Sequence, residues 1–483
     1  MCVNTRNIGC LLLLLLATFA TAQEQARLSE RELTGTARYV GMGGAMTAVG
    51  GDPSAVRDNP AGLGVYRRME MLVSMGGKWD YTAASNGRWN APYARFEMPQ
   101  ASWVFDFGNP YKSRGVIFNN LMISYNRVRQ YQREYALSVS NAEASLADVI
   151  ALKTNGLPEA DLQPAERWSD HEIGWLSILG YDTWLINPQN DPENRWYTNL
   201  SEGERVNSAA NVRESGYMDE YALDWGMNIS NRWFVGAGIR CTSFYFSQEE
   251  NYTEESASGV QIHNYSSVLM SGLGVNAAFG MIGHPVQWLR FGVALTTPTA
   301  STLSVANYGE MTARVQDTLR TATTLDPEFV PYGNFSMPMR MSASLAFQLR
   351  HYGILAFQYD YAHHKYLDDV HTLKVGLEVV PVQRLFINAG YVYESTFTDR
   401  SSVHSYARGY NDMRTDTHAL YTRNTQYISC GIGYRGRSLI LQAAYQYQLQ
   451  TTDFQLHELT SAGDIDSRTH RLVVTLGWHG NQQ

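Results

Sequence analysis

The sequence predicts an all-β protein: a transmembrane antiparallel β-barrel of about fourteen strands, with an N-terminal plug and long extracellular loops. Three observations predict it. Apolar and polar residues alternate with period two along most of the chain. The connections between the alternating segments are short and long in turn. Aromatic residues are abundant (30 Tyr, 17 Phe, 11 Trp) while only 17% of residues are charged, so one face of each strand is greasy although the mean hydropathy is just −0.30.

The alternation is plain in the last segment. Leu472, Val474, Leu476 and Trp478 share one face; Arg471, Val473, Thr475 and Gly477 share the other. The same pattern marks Met69–Met75, Ser102–Phe107, Leu121–Asn126, Tyr221–Ile229, Trp233–Phe246, Leu269–Gly280 and Leu289–Thr296. It continues through Arg340–Gln348, Leu355–Tyr361, Thr372–Val379, Leu385–Glu394, Tyr427–Tyr434 and Leu439–Gln448. The second face carries Asp224, Arg240, Arg290, Arg340, Lys374, Glu378 and Arg471, interleaved with Gly236, Gly272, Gly376 and Gly390. Such a face is too polar and too small for a sandwich core, and it suits a wet lumen.

Tight turns are expected at 230–231, 282–285, 351–352, 381–383 and 435–437, and long connections at 76–92, 137–216, 247–263, 297–337, 362–371, 395–424 and 450–468. Short turns on one side and long loops on the other is the bacterial outer-membrane pattern, with both chain ends periplasmic. Aromatics near the strand ends, such as Tyr245, Phe246, Tyr359, Tyr391 and Tyr445, suit interfacial girdles, and Phe244 is grouped with them.

Residues 1–22 read as a signal peptide. Arg6 gives a positive start, Leu11–Leu16 an apolar run, and Ala20-Thr21-Ala22 a cleavage site before Gln23. The run is too short to span a bilayer, which takes roughly twenty residues. Cys10 precedes the run, so a lipoprotein signal is not indicated. Cys241 and Cys430 fall on the apolar register and imply no disulfide framework. The net charge of −8 argues against nucleic acid as a partner.

Residues 23–68 do not alternate. Gly41, Gly43, Gly44, Gly50 and Gly51 keep the segment thin, so that it can sit inside a barrel. Asp52 followed by Pro53 is an N-cap and first helical position for a short helix through Val56, ended at Asn59-Pro60. Gly41-Met42-Gly43-Gly44-Ala45, Asp52-Pro53-Ser54-Ala55 and Asn59-Pro60-Ala61-Gly62-Leu63 together resemble the long-chain fatty-acid transporter (FadL/TodX) family of outer-membrane proteins. Leu121–Arg133 is similar to the third-strand region of Bacteroidetes-type members.

The resemblance implies a fourteen-stranded barrel (69–483) closed by an N-terminal hatch (23–68), with the hatch role falling on Asn59, Pro60 and Ala61. It implies passive uptake of hydrophobic small molecules, of fatty-acid or aromatic type, released sideways into the membrane through a gap beside a kinked strand. The extracellular loops match no family pattern, so no ligand residue carries over. The large connection 137–216 holds a helix at Ser145–Lys153, ended by Asn155-Gly156, and the greasy stretch 170–186. Trp175, Leu176, Leu179, Tyr181 and Trp184 are its candidate ligand residues; the alternative is that they pack the loop onto the rim.

No cofactor and no catalysis are expected. Gly41-Met42-Gly43-Gly44 lacks the βαβ context of a nucleotide site. His363, His364, Asp368, Asp369 and His371 could ligate a metal but sit where a polar loop begins, and no Ser–His–Asp set stands out. The expected partners are membrane lipid and a hydrophobic ligand, and the expected state is a monomer. Two other readings stay open: a receptor for haem or another amphipathic ligand, with His171 as a candidate, and a barrel anchor for a surface or secretion partner.

Overall fold

The computed structural model describes residues 28–83, 93–108, 114–163, 167–168, 173–189, 191–201, 203–363, 369–395, 413–461 and 463–480. The signal-peptide reading of residues 1–22 lies outside them. Twenty strands form in chain order. They are β1 (Glu70–Ala83), β2 (Tyr93–Asp106), β3 (Val116–Gln130), β4 (Arg133–Ala142), β5 (Ile186–Pro188), β6 (Trp196–Thr198), β7 (Val206–Ile229), β8 (Trp233–Ser256), β9 (Gln261–Val286) and β10 (Leu289–Thr296). Next come β11 (Thr299–Val315), β12 (Thr318–Thr323), β13 (Val330–Met337), β14 (Met339–Gln348) and β15 (Gly353–His363). The last are β16 (Val370–Val382), β17 (Leu385–Glu394), β18 (Ala419–Arg435), β19 (Leu439–Gln455) and β20 (Gly463–His479).

Fourteen of them close a ring in the order β1–β2–β3–β7–β8–β9–β10–β14–β15–β16–β17–β18–β19–β20, every pair antiparallel. The last strand returns to the first, from Glu70↔His479 to Ala83↔Asp466. Closure removes the free edge strands of an open sheet, so along most of the ring each ladder group has a neighbour to bond. All fourteen alternating segments of the sequence are strands of this ring.

Side chains sort by the pleat. Ile123, Leu223, Ile239, Leu273, Leu373, Ile432, Leu472 and Leu476 point outward and are exposed. Together they form an apolar belt far larger than a water-facing surface tolerates, and one that suits lipid. No helix among the described residues is long and apolar enough to cross a membrane. Tyr245, Tyr359, Tyr391 and Tyr445 stand outward as expected. Phe244 and Phe246 do not: both are buried inside the ring, in a cluster with Leu28, Met270, Leu303 and Met337. They are two residues apart, on the inward register, with Tyr245 between them.

The strands run much further than their alternation. β7, β8 and β9 have 24, 24 and 26 residues and rise well past the belt on the long-connection side. The connections expected at 247–263 and 297–337 are therefore largely strand, as are 206–216 and 76–83 of two others. Above the belt both faces meet polar surroundings, as in Ser247–Ser256 (SQEENYTEES), so the hydrophobic period vanishes while the ladder continues. Prolines punctuate the wall. β10 and β11 form one line interrupted at Thr297-Pro298, and β13 and β14 another interrupted at Pro338, because proline has no N–H for the ladder.

Candidate functional site

Residues 28–66 run through the inside of the ring. Three short helical pieces hold them. α1 (Ala37–Gly41) is capped by Thr36, whose hydroxyl accepts from Tyr39 N. α2 (Pro53–Asp58) is capped by Asp52, whose carboxylate accepts from Ser54 N, and extends two residues past the Val56 expected of it. Asn59 ends α2 and caps the 3-10 turn Pro60–Val65, accepting from Ala61 N. Thr36 Oγ1 donates to Asp52 at 2.8 Å, which joins the first two caps. Gly43, Gly44, Gly50 and Gly51 have φ between 61° and 68°, where a side chain would be strained.

The wall glycines that looked like lumen lining are seats for this segment. A Cβ on Gly390 would lie 2.2 Å from Gly43 N, and one on Gly236 would lie 2.3 Å from Pro60 C. A Cβ on Gly292 would lie 2.5 Å from Thr47 O, and one on Gly376 would lie 2.5 Å from Met42 O. Gly226 meets Pro60 and Leu63 in the same way, and Gly280 meets Asn59. Backbone therefore rests on backbone at several points around the ring.

Polar wall side chains complete the seating. Asn120 donates to Leu63 O at 2.8 Å and to Tyr66 O at 2.9 Å. Arg290 donates to Val49 O at 3.1 Å, and Arg471 to Leu33 O at 2.8 Å. Gln358 accepts from Thr47 N, Gln442 from Arg38 N, and Thr475 from Ala37 N. Arg38 forms a two-pronged pair with Glu378 at 2.7 and 2.9 Å. These bonds come from β3, β10, β15, β16, β19 and β20, which encircle the segment. The sequence signal for them was the charged inward face, whose partners were invisible until the ring closed.

On the long-connection side of this layer the lumen is divided. One wall is the apolar cluster of Phe244, Phe246, Met270 and Leu303. Adjoining it at Tyr131 is a cavity of about 70 Å³ lined by Glu30, Glu32, Lys78, Arg95, Arg129 and Arg133, among others. Its charges are paired: Lys78 with Glu32 at 3.0 Å, Arg133 with Glu214 at 2.7 Å, and Arg129 with Glu30.

Beside that cavity the wall is incomplete. β2 and β3 pair from Asp106↔Asn120 to Gln100↔Asn126 and no further. β2 continues to Tyr93 paired only with β1, and β3 continues to Gln130 paired only with β7. Pro99 sits where the pairing ends, beside a register shift against β1 and just below one in β3 at Arg127/Arg129. Arg95 reaches across to Gln132 O and pairs with Asp80. Pro99 is the sequence signal for this break, and the alternation resumes after it at Ser102.

The large connection folds as its own layer over the ring. α3 (Leu146–Thr154) begins at Ser145, which forms a capping box with Asp148, and ends at Asn155 before Gly156 (φ 93°). Glu254 of β8 accepts from Leu146 N at 3.1 Å and from Tyr252 OH at 2.6 Å, which pins that helix to the wall. α4 (Trp175–Asp182) packs against α3.

The candidate ligand residues Trp175, Leu176 and Leu179 are buried in this layer's core with Ile150, Tyr252, Ile262 and Phe454. They pack the layer rather than line an open groove, because both helices turn their apolar sides to each other and to the strands. Tyr181 is partly buried, stacks edge-on against Trp196 and donates to Glu159 at 2.8 Å. Trp184 alone is half exposed, with the Arg320 guanidinium over its ring. His171 lies outside the described residues, as do His364 and Asp368. His363 pairs with Asp369 at 2.9 Å, and His371 bonds Tyr359 at 2.6 Å.

No protein-family model matches the chain, and no curated protein matches it. Solved structures do. A FadL homologue of Pseudomonas aeruginosa shares 12% identity over 94% of this chain and 99% of that one, with a TM-score of 0.54. The toluene transporter TodX of P. putida shares 12% over 93% and 99%, with a TM-score of 0.51. The chain has the FadL-type fold. A TodX deltaS2S3 mutant, titled a monoaromatic hydrocarbon channel, aligns at 10% identity over 92% and 99%, with a TM-score of 0.52. At these identities the FadL-type likeness covers the path of the chain from hatch region to last strand, and leaves each pocket to be read from this chain's own residues.

Proposed function

We propose that the chain is an outer-membrane channel for passive uptake of hydrophobic or amphipathic small molecules. In this reading residues 23–68 are its hatch, with Gly41, Gly43, Gly44, Asp52, Pro53, Asn59, Pro60 and Ala61 as the seating residues. The observation that carries it is the contrast between floor and wall. The floor is closed backbone to backbone around the ring, whereas the β2–β3 ladder stops at Gln100↔Asn126. A molecule in the lumen meets less resistance sideways than downward. An apolar molecule gains about 0.8 kcal/mol per CH₂ on leaving water, which is enough to drive entry without energy input. The apolar cluster and the charged cavity that meets it at Tyr131 favour a ligand with a greasy part and a polar part. The FadL and TodX structures support hydrophobic cargo, and the non-enzymatic reading rests on them too.

The test is uptake of labelled long-chain fatty acid and toluene by cells that carry the chain, cells that lack it, and cells carrying a form without Gln23–Leu63. Faster uptake with the chain than without it, altered by loss of the hatch, supports the reading. Equal uptake in cells with and without the chain refutes it.

A further inference from the structure

Between β17 and β18 the described part of the long connection, Met413–His418, does not stay beside those strands. It crosses the ring to the inner face of β8, β9 and β11. Asn264 donates to Thr415 O at 2.8 Å, Thr415 donates to Ser266 at 3.0 Å, and Gly309 leaves room for the Thr415 side chain. Glu250 of β8 takes the largest share. It accepts from Thr417 N at 3.1 Å and from Thr417 Oγ1 at 2.8 Å, and faces His418 Nδ1 at 2.7 Å.

The Glu250 and His418 side chains have no exposure at all. One ligand atom each from Glu250, Asp416 and His418 lies within 4.8 Å of the others. That is one imidazole nitrogen and two carboxylates, from two separate parts of the chain.

A further set of hydrogen bonds lies on the far side of the imidazole. Arg133 pairs with Glu214, and Glu214 accepts from Tyr135 OH at 3.1 Å. Tyr135 OH in turn lies 3.2 Å from His418 Nε2. His418 Nδ1 and Glu250 Oε2 stand 2.7 Å apart in a dry site, and both atoms are of a kind that ligate metal ions. A hydrogen-bonded far nitrogen is also how ligating histidines are held in register.

We propose that Glu250, Asp416 and His418 form a divalent-cation site, suited to Zn²⁺, that fastens the crossing segment to the wall. One nitrogen and two oxygens match zinc's ligand preference, and zinc–ligand distances of about 2.0–2.2 Å ask the three groups to close around the ion by small side-chain shifts. Asp416 now holds the Arg414 guanidinium, with Nε at 2.6 Å, so a cation already occupies the position that zinc takes over. Gln248 stays on Asp416 at 3.0 Å. Tyr135 remains behind the ring.

The experiment uses the full mature protein in detergent, stripped with chelator and titrated with zinc chloride by calorimetry. Tryptic cleavage after Arg414 is followed in parallel by mass spectrometry. One zinc per chain is expected, with binding weakened at least tenfold in His418→Gln and in Glu250→Gln. Zinc should slow the Arg414 cut at least fivefold in the parent protein and not in His418→Gln. Asp416→Asn, at the less buried ligand, guards against a misfolded variant: it should keep the parent melting temperature and still lose zinc. Absence of saturable zinc binding, or equal affinity in all three variants, overturns the proposal, and neither result bears on uptake of hydrophobic molecules.

Discussion

Gly390→Val tests the seating of the hatch most directly. Valine suits a β-strand, so β17 itself is not weakened. The new Cβ would lie 2.2 Å from Gly43 N, 2.5 Å from Met42 C and 2.7 Å from Gly43 Cα. Ordinary contact begins at 3.4 Å, so the hatch must move by more than an ångström, and every atom in its way is backbone. Overpacking of this kind costs about 1–3 kcal/mol. The bond that Ser429 makes to Gly41 O lies next to the same contact and is exposed to the same shift. Ala389→Val is the control, since position 389 is exposed on the lipid side of the same strand. The assay is single-channel conductance in planar bilayers together with thermal melting. Gly390→Val should raise the conductance and lower the melting temperature, while Ala389→Val changes neither. Parent-like conductance and melting in Gly390→Val would refute the view that the wall glycines seat the hatch.

Three further outcomes are expected. Asn120→Leu removes both donors to Leu63 O and Tyr66 O and leaves two buried carbonyls unpaired, at about 1–3 kcal/mol each, read by urea unfolding in vesicles. Leu476→Arg puts a charge on the outward face of β20 and should cost roughly 2–4 kcal/mol in lipid if position 476 is near mid-bilayer; unchanged stability there would undercut the outward register. His457, in the β19–β20 connection, is pushed down to about 4 by burial and by the nearby Lys153. Its unfolded value is near 6.5, so the unfolded chain takes the proton first. Stability is unaffected above that pH, falls from about 6.5 to about 4, and reaches a full penalty of about 3 kcal/mol below. His457→Phe should flatten this part of the pH profile.

Most of the ring was legible because lipid on one side and the lumen on the other write a period of two into each strand. Every segment with that period is a wall strand. The period disappears where the environment becomes symmetric, which is why the upper halves of β7, β8 and β9 read as loops. The cap at Asp52 was legible because it satisfies its own neighbours, whereas Asn59 read only as a helix end and Ser145 as a helix residue. The roles of Gly236 and Gly390 were not legible, since their partners are 176 and 347 positions away at Pro60 and Gly43. Trp175, Leu176 and Leu179 illustrate the remaining gap. Greasy residues in a loop look alike whether they face a ligand or each other, and only the second helix and the strand behind it decide. The β2–β3 break was written in Pro99, but a lone proline in a strand marks an edge only once the neighbouring strand is known.

The glycine seats also bear on how the molecule is assembled. A hatch resting backbone to backbone on its wall cannot slide in from either end past the inward side chains of a finished ring. It must be in place when β1 and β20 meet. Ala37 bonds Thr475 and Leu33 bonds Arg471, so the first part of the chain waits for the last strand before its bonds are made. Residues 28–66 and the strand that closes the ring thus share one set of bonds, so that loosening either loosens the other.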